Sequence, residues 1–74
     1  MTSPRGIELD LNNGKIYWTE ISPSNKIRRA NLDGTEIEDF ITGLSNPNDL
    51  VFDFDNSMVY WTNGGALQIQ RANL

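Results

Sequence analysis

The chain has 74 residues, a formal charge of −4 and a pI near 4.4, a balance that argues against binding nucleic acid, which needs clustered Lys and Arg. It contains neither cysteine nor histidine. That removes disulfides, Cys/His metal cages, thiol nucleophiles and any side chain that ordinarily titrates near neutrality. No apolar run approaches the roughly 18 residues that cross a bilayer as a helix, and the start Met1-Thr2-Ser3-Pro4 lacks the basic and apolar regions of a signal peptide. A domain of this size buries too small a fraction of its surface to be comfortable alone, and oligomerisation is the remaining aid.

Taken in chain order, Ile7, Leu9 and Leu11 alternate with Glu8 and Asp10, the period-two pattern of a half-buried strand. Asn12-Asn13-Gly14 supplies the positive φ angles of a tight hairpin, and Lys15 to Thr19 resumes the strand pattern. Ser22-Pro23-Ser24-Asn25 reads as a loop, because proline donates no ladder hydrogen bond. A third strand is expected over Lys26 to Asn31. After the Asp33-Gly34 turn a fourth covers Glu36 to Ile41, with Ile37 and Ile41 on one face. Gly43 to Pro47 then turns the chain into strands over Leu50 to Phe54, Met58 to Thr62 and Leu67 to Ala72, separated by Asp55-Asn56-Ser57 and Asn63-Gly64-Gly65. No helix pattern and no low-complexity segment interrupts this series.

The second half repeats the first. Pro4-Arg5-Gly6-Ile7-Glu8-Leu9-Asp10, Lys15-Ile16-Tyr17-Trp18-Thr19 and Ile27-Arg28-Arg29-Ala30-Asn31-Leu32 recur as Pro47-Asn48-Asp49-Leu50-Val51-Phe52-Asp53, Met58-Val59-Tyr60-Trp61-Thr62 and Ile69-Gln70-Arg71-Ala72-Asn73-Leu74. Tyr17 to Tyr60 is a step of 43 residues and Ile27 to Ile69 a step of 42, so one residue is dropped after the second aromatic pair. A repeat of this length made of short strands is the mark of a propeller blade. Blade one is expected over about residues 4–44 with four strands, and blade two over about 45–74 with three. The third strand of blade two, Leu67 to Leu74, carries only Arg71 as a charge, leaving that edge poorly protected against further pairing or swapping.

Tyr17-Trp18-Thr19-Glu20 and Tyr60-Trp61-Thr62-Asn63, each preceded by a Pro-led strand ending in Asp and followed by Ala-Asn-Leu, resemble the YWTD repeat of low-density-lipoprotein receptors and their relatives. The resemblance runs from Pro4 to Leu74 and includes the Asn31 to Gly34 turn. It departs from the family at the last position of the tetrapeptide, usually Asp but here Glu20 and Asn63. It departs again where the family commonly has glycine, at Asp49, the counterpart of Gly6. The resemblance implies a six-bladed β-propeller, with each blade's first strand lining the central channel and its fourth on the rim. Tyr17, Trp18, Tyr60 and Trp61 are then expected in the packing between blades, where an indole finds both apolar cover and a partner for its N–H.

Two blades do not close a ring, whereas three copies supply six about a closed three-fold axis with head-to-tail interfaces. The expectation is a homotrimer. Its function is expected to be that of a non-enzymatic scaffold or protein- and peptide-binding module, since in the family the ring's top face binds such partners. The loops of that face hold Arg5, Glu20, Ile21, Asn46, Asn48, Asn63 and Gly64. The alternative is a hydrolase similar to six-bladed lactonases, with a divalent cation in the channel held by oxygen ligands such as Asn48 and Asp49. An extracellular setting rests on the family resemblance alone. An excised or engineered fragment of a longer repeat protein would carry the same sequence features.

Overall fold

The strand runs read from the sequence fold as strands, and the computed structural model, which describes residues 4–65 and 67–74, contains two antiparallel sheets. The first has the order β1 (Pro4–Asp10), β2 (Lys15–Glu20), β3 (Lys26–Asn31) and β4 (Glu38–Ile41). The second has β5 (Pro47–Asp53), β6 (Met58–Asn63) and β7 (Gln68–Asn73) in that order, with a single 3-10 turn, Phe54–Asn56, between β5 and β6. Residues 1–3, expected to be too few to add a strand, lie outside the described residues. No helix among the described residues is long and apolar enough to cross a membrane.

The two sheets repeat in register as well as in sequence. Ile7 pairs with Trp18 as Leu50 pairs with Trp61, and Glu8 with Tyr17 as Val51 with Tyr60. Each first strand also carries an irregularity just after its leading proline, between Pro4 and Ile7 and between Pro47 and Leu50. This re-aims the strand entry without disturbing the alternation beyond it.

The sheets stack with β5 against β1 and β2. The core between them is Tyr17 and Ile27 from the first sheet and Leu50, Val59 and Trp61 from the second, with Phe40, Ile41, Leu44, Phe52, Ala72 and Leu74 packed around it. Tyr17 sits edge-on to both Phe40 and Phe52, with ring centroids 5.2 and 4.9 Å apart, the arrangement that brings a positive ring edge to a negative face.

Three local expectations change. Leu11 lies in the turn after β1 and is exposed. The fourth strand starts at Glu38 rather than Glu36, which takes a left-handed φ of 54° in the turn before it. Ile37 and Ile41 do not share a face: Arg28 pairs with Asp39 while Ile27 pairs with Ile41. Phe40 is therefore an extra residue that shifts the alternation by one. Ile41 reaches the core between the sheets, whereas Ile37 lies on the opposite side with Trp18.

Candidate functional site

Because side chains alternate across a strand, each blade presents two faces defined by its aromatic pair. Tyr17 points from β2 toward the second sheet, and Trp61 points from β6 back toward the first. Their neighbours Trp18 and Tyr60 lie on the two outward faces. The seam inside the chain is thus a Tyr face of one blade against a Trp face of the next.

Both tryptophans are buried, but their indole N–H groups are treated differently. Trp18 Nε1 donates to Glu20 Oε2 at 2.8 Å, and Arg28 Nη1 stands 3.8 Å from the same oxygen. Glu20 is 1% exposed. Asn63, its counterpart, is also buried but turns elsewhere. Its Oδ1 accepts from the Ser45 N–H at 2.8 Å and its Nδ2 donates to Gln70 Oε1 at 3.0 Å. Trp61 Nε1 has no hydrogen-bond partner among the described residues. Glu20 and Asn63 therefore are not surface loop residues as the sequence reading had them. They are the last residues of β2 and β6, one supporting its own blade's indole and the other fastening the turn that links the blades.

At the inner end of the seam, Thr19 joins the two sheets. Its Oγ1 accepts from the Gly6 N–H at 2.8 Å and donates to the Asn48 carbonyl at 2.7 Å. A Cβ on Gly6 would stand only 2.8 Å from that same carbonyl oxygen, so the close approach of β1 and β5 needs glycine there. Asp49 occupies the corresponding place in β5 and is exposed. Neither Thr19 nor the Gly6 contact was singled out from the sequence as functional. The signal available was the recurrence of Thr between the aromatic pair and the variable fourth position.

The remaining candidates do come together, although Arg5 and Asn48 lie within β1 and β5 rather than in loops. Arg5, Ile21, Asn46 and Asn48, with Pro47, Thr62 and Gly64, line one shallow concavity of about 400 Å³ over the top of the seam. Its floor is fastened by the Gly64 N–H donating to the Asn46 carbonyl at 3.0 Å. Arg5, Asn46 and Asn48 are exposed, and Ile21 is half-buried. Asp49 is not part of this lining. Among the described residues no group of three or more Asp and Glu gathers as a metal-holding cluster.

The edge of the first sheet carries an ionic strip. Asp39 takes Lys26 and Arg28 at 3.0 Å each, and Glu38 takes Arg29 at 2.6 Å. Lys26, hydrogen-bonded to Asp39, together with the charge of Arg28 holds the Asp39 carboxyl below its usual range.

No profile of a known protein family matches the chain. Individual relatives do. Mouse nidogen-2 is 39% identical over 71 residues, covering 93% of this chain and 5% of that protein. Mouse low-density lipoprotein receptor-related protein 5 is 37% identical over 73 residues, covering 96% and 4%. A chain in the crystal structure of a nidogen/laminin complex superposes with a TM-score of 0.87 at 33% identity, over 96% of this chain and 28% of that one. These are two blades of the YWTD-repeat propeller family. The chain spans about a twentieth of the length of the curated relatives it matches. The YWTD pattern itself is kept in position and altered only in its last residue, where Glu20 retains a carboxylate and Asn63 gives it up.

Proposed function

We propose that this chain is a non-enzymatic propeller unit whose blades assemble into a ring that binds proteins or peptides on its top face. The observation that carries the reading is the pairing of faces. The seam inside the chain buries a Tyr face against a Trp face, and the two outward faces are one of each kind. The outward Trp face forms an apolar groove of about 450 Å³ lined by Ile7, Ile16, Trp18, Ala30, Leu32 and Ile37, and the outward Tyr face exposes Val51 and Ile69. Apolar patches of this kind mark association surfaces. Head-to-tail stacking of Tyr face on Trp face closes after six blades in the family's ring, which three copies of this chain supply.

The binding surface in this reading is the concavity of Arg5, Ile21, Asn46 and Asn48, with Asn63 holding the Ser45 turn beside it. The nidogen/laminin complex is the precedent for a protein ligand on this fold, and a receptor and nidogens as relatives favour an extracellular setting. The lactonase-like alternative, with a cation at Asn48 and Asp49, finds no support among these relatives.

Light scattering over a dilution series tests the assembly: a constant mass of three times 8.4 kDa is expected, and a monomer at all concentrations would overturn it. The binding face is tested with a displayed peptide library selected on the chain. Binders are expected to lose affinity on Arg5→Ala or Asn48→Ala and to keep it on Glu8→Ala; binders indifferent to the first two changes would place recognition elsewhere.

A further inference from the structure

Two asparagines, Asn13 and Asn63, are followed by glycine, and the fold treats them in opposite ways. Asn13 is exposed in the turn between β1 and β2. Its Nδ2 donates to Asp10 Oδ2 at 2.8 Å, while its main-chain N–H reaches Asp10 Oδ1 at 3.4 Å and the Gly14 N–H reaches the Leu11 carbonyl at 3.3 Å. The two main-chain bonds are long for their kind, so this turn opens locally at little cost. Asn63 is 5% exposed, and both ends of its carboxamide are engaged, with the Ser45 N–H at 2.8 Å and Gln70 Oε1 at 3.0 Å. The Gly64 N–H is held by the Asn46 carbonyl at 3.0 Å. Asn56 is the matched control in blade two. Its Nδ2 donates to Asp53 Oδ2 at 2.8 Å as that of Asn13 does to Asp10, and the Ser57 N–H donates to the Phe54 carbonyl at 3.3 Å as that of Gly14 does to Leu11. The following residue is left-handed in both turns, with φ of 65° at Gly14 and 53° at Ser57. What separates the two turns is that residue's side chain, which crowds the nitrogen and stiffens the main chain at Ser57 and is missing at Gly14.

We propose that Asn13 is a site of spontaneous covalent modification, losing its amide to attack by the Gly14 nitrogen, while Asn56 and Asn63 keep theirs. The Gly14 nitrogen gives its proton to solvent base and bonds to Asn13 Cγ. The Cγ–Nδ2 bond breaks, and Nδ2 leaves as ammonia after taking a proton from water. Water then opens the cyclic imide: addition at Cγ gives aspartate, and addition at the main-chain carbonyl gives isoaspartate, whose backbone runs through Cβ. Nothing is oxidised or reduced, and water is the one co-reactant. Either product sets a carboxylate where Asp10, 1% exposed, receives the Nδ2 hydrogen bond. A donor is thereby replaced by a like charge beside a buried acceptor, and the iso form also lengthens the turn by one main-chain carbon. The modification therefore loosens the β1–β2 hairpin from the end opposite the Thr19 link between the sheets.

The test ages the whole chain in mildly alkaline buffer and follows each asparagine by peptide mass spectrometry, with fragmentation that separates aspartate from isoaspartate. Asn13 is expected to convert roughly tenfold or more faster than Asn56 and Asn63, to both products, and faster still as pH rises, because the Gly14 nitrogen must first lose its proton. In denaturant, Asn63 is expected to rise to the rate of Asn13 while Asn56 stays slow, which separates protection by the fold from the effect of the following residue. Ser57→Gly, which relieves a left-handed serine and so does not endanger folding, is expected to bring Asn56 to within a few-fold of Asn13. Conversion of Asn63 as fast as Asn13 in the folded chain, conversion of Asn13 no faster than Asn56, or an unchanged Asn56 rate in Ser57→Gly overturns the proposal. The structural consequence is read from Asn13→Asp, expected to melt at a lower temperature than Asn56→Asp because Asp10 is buried and Asp53 only half-buried; equal melting temperatures would overturn that part.

Discussion

Blade one and blade two are the same design seen with opposite faces covered. Ile7 and Leu50 occupy equivalent places on the Trp face, yet Ile7 is 66% exposed and Leu50 is 5%. On the Tyr face the relation inverts: Ile27 is fully buried and its counterpart Ile69 is open. Neither the strand pattern nor the aliphatic character of the side chain differs between the members of each pair. What differs is whether another sheet stands opposite, so in a stacked array the worth of a side chain is decided by its neighbour as much as by its own blade.

The sharpest way to break this comparison is to truncate the members of a pair in turn. Leu50→Ala and Ile27→Ala each remove a buried aliphatic side chain and are expected to cost about 2–5 kcal/mol, enough to abolish cooperative unfolding in a chain this small. Ile7→Ala and Ile69→Ala are expected to stay within about 0.5 kcal/mol in dilute solution, as surface changes do. Denaturant melts at two protein concentrations check both halves. If copies assemble through the outward faces, the second pair becomes costly as concentration rises, because association adds to apparent stability.

A second pair concerns the seam's inner end. Gly6→Ala drives a methyl group into the backbone of β5 and is expected to destabilise by about 1–3 kcal/mol. Asp49→Ala, at the equivalent and open place, is expected to change stability by less than about 0.5 kcal/mol. Thermal unfolding of the two variants side by side measures the difference.

The tryptophans give a third comparison, of similar size. Glu20→Leu strips the Trp18 indole of its acceptor and leaves it as unpartnered as Trp61, at an expected cost of about 1–3 kcal/mol. Tryptophan side-chain NMR should then show the Trp18 Nε1 proton moving from a hydrogen-bonded shift toward that of Trp61. An unchanged Trp18 resonance would mean that another group accepts this proton.

The smallest effect is with pH. The Asp39 carboxyl is depressed by Lys26 and then Arg28, so its ion pairs stabilise β4 above the unfolded carboxyl value of about 4 and are lost only as pH falls through the lower folded value. Amide protection in β4 is therefore expected to persist through pH 4 and to drop below it, and Lys26→Met is expected to move that drop upward. Because Asp39 is well exposed, the change is one of local fraying.

Much of the fold could be read from the chain because its determinants are local. Gly14 and Asp33-Gly34 mark their turns and alternation marks the strands, so β2 and β3 were placed to within a residue. The fourth strand was read less well because an extra residue at Phe40 leaves no trace in composition while shifting every side chain after it to the other face. Arg5, Ile21, Asn46 and Asn48 share one concavity, but only Ile21 and Asn46 are loop residues, because Arg5 and Asn48 already belong to the irregular first residues of β1 and β5. Glu20 and Asn63 were misplaced for a physical reason: a polar residue at a strand end looks like a loop residue in sequence, and only the nearby indole and the turn amide of Ser45 reveal that each is consumed internally.

The glycine at position 6 has a geometric consequence for any ring made of identical copies. Inside the chain, the missing Cβ lets β1 approach the backbone of β5, whereas the junction to the next copy would bring Asp49 to the equivalent point, with a Cβ and a carboxylate where the chain has a notch. In the ring proposed above, such copies would alternate closer and wider junctions between blades, with an Asp49 carboxylate at each wider one, and Asp49→Gly is the change expected to make the junctions equal.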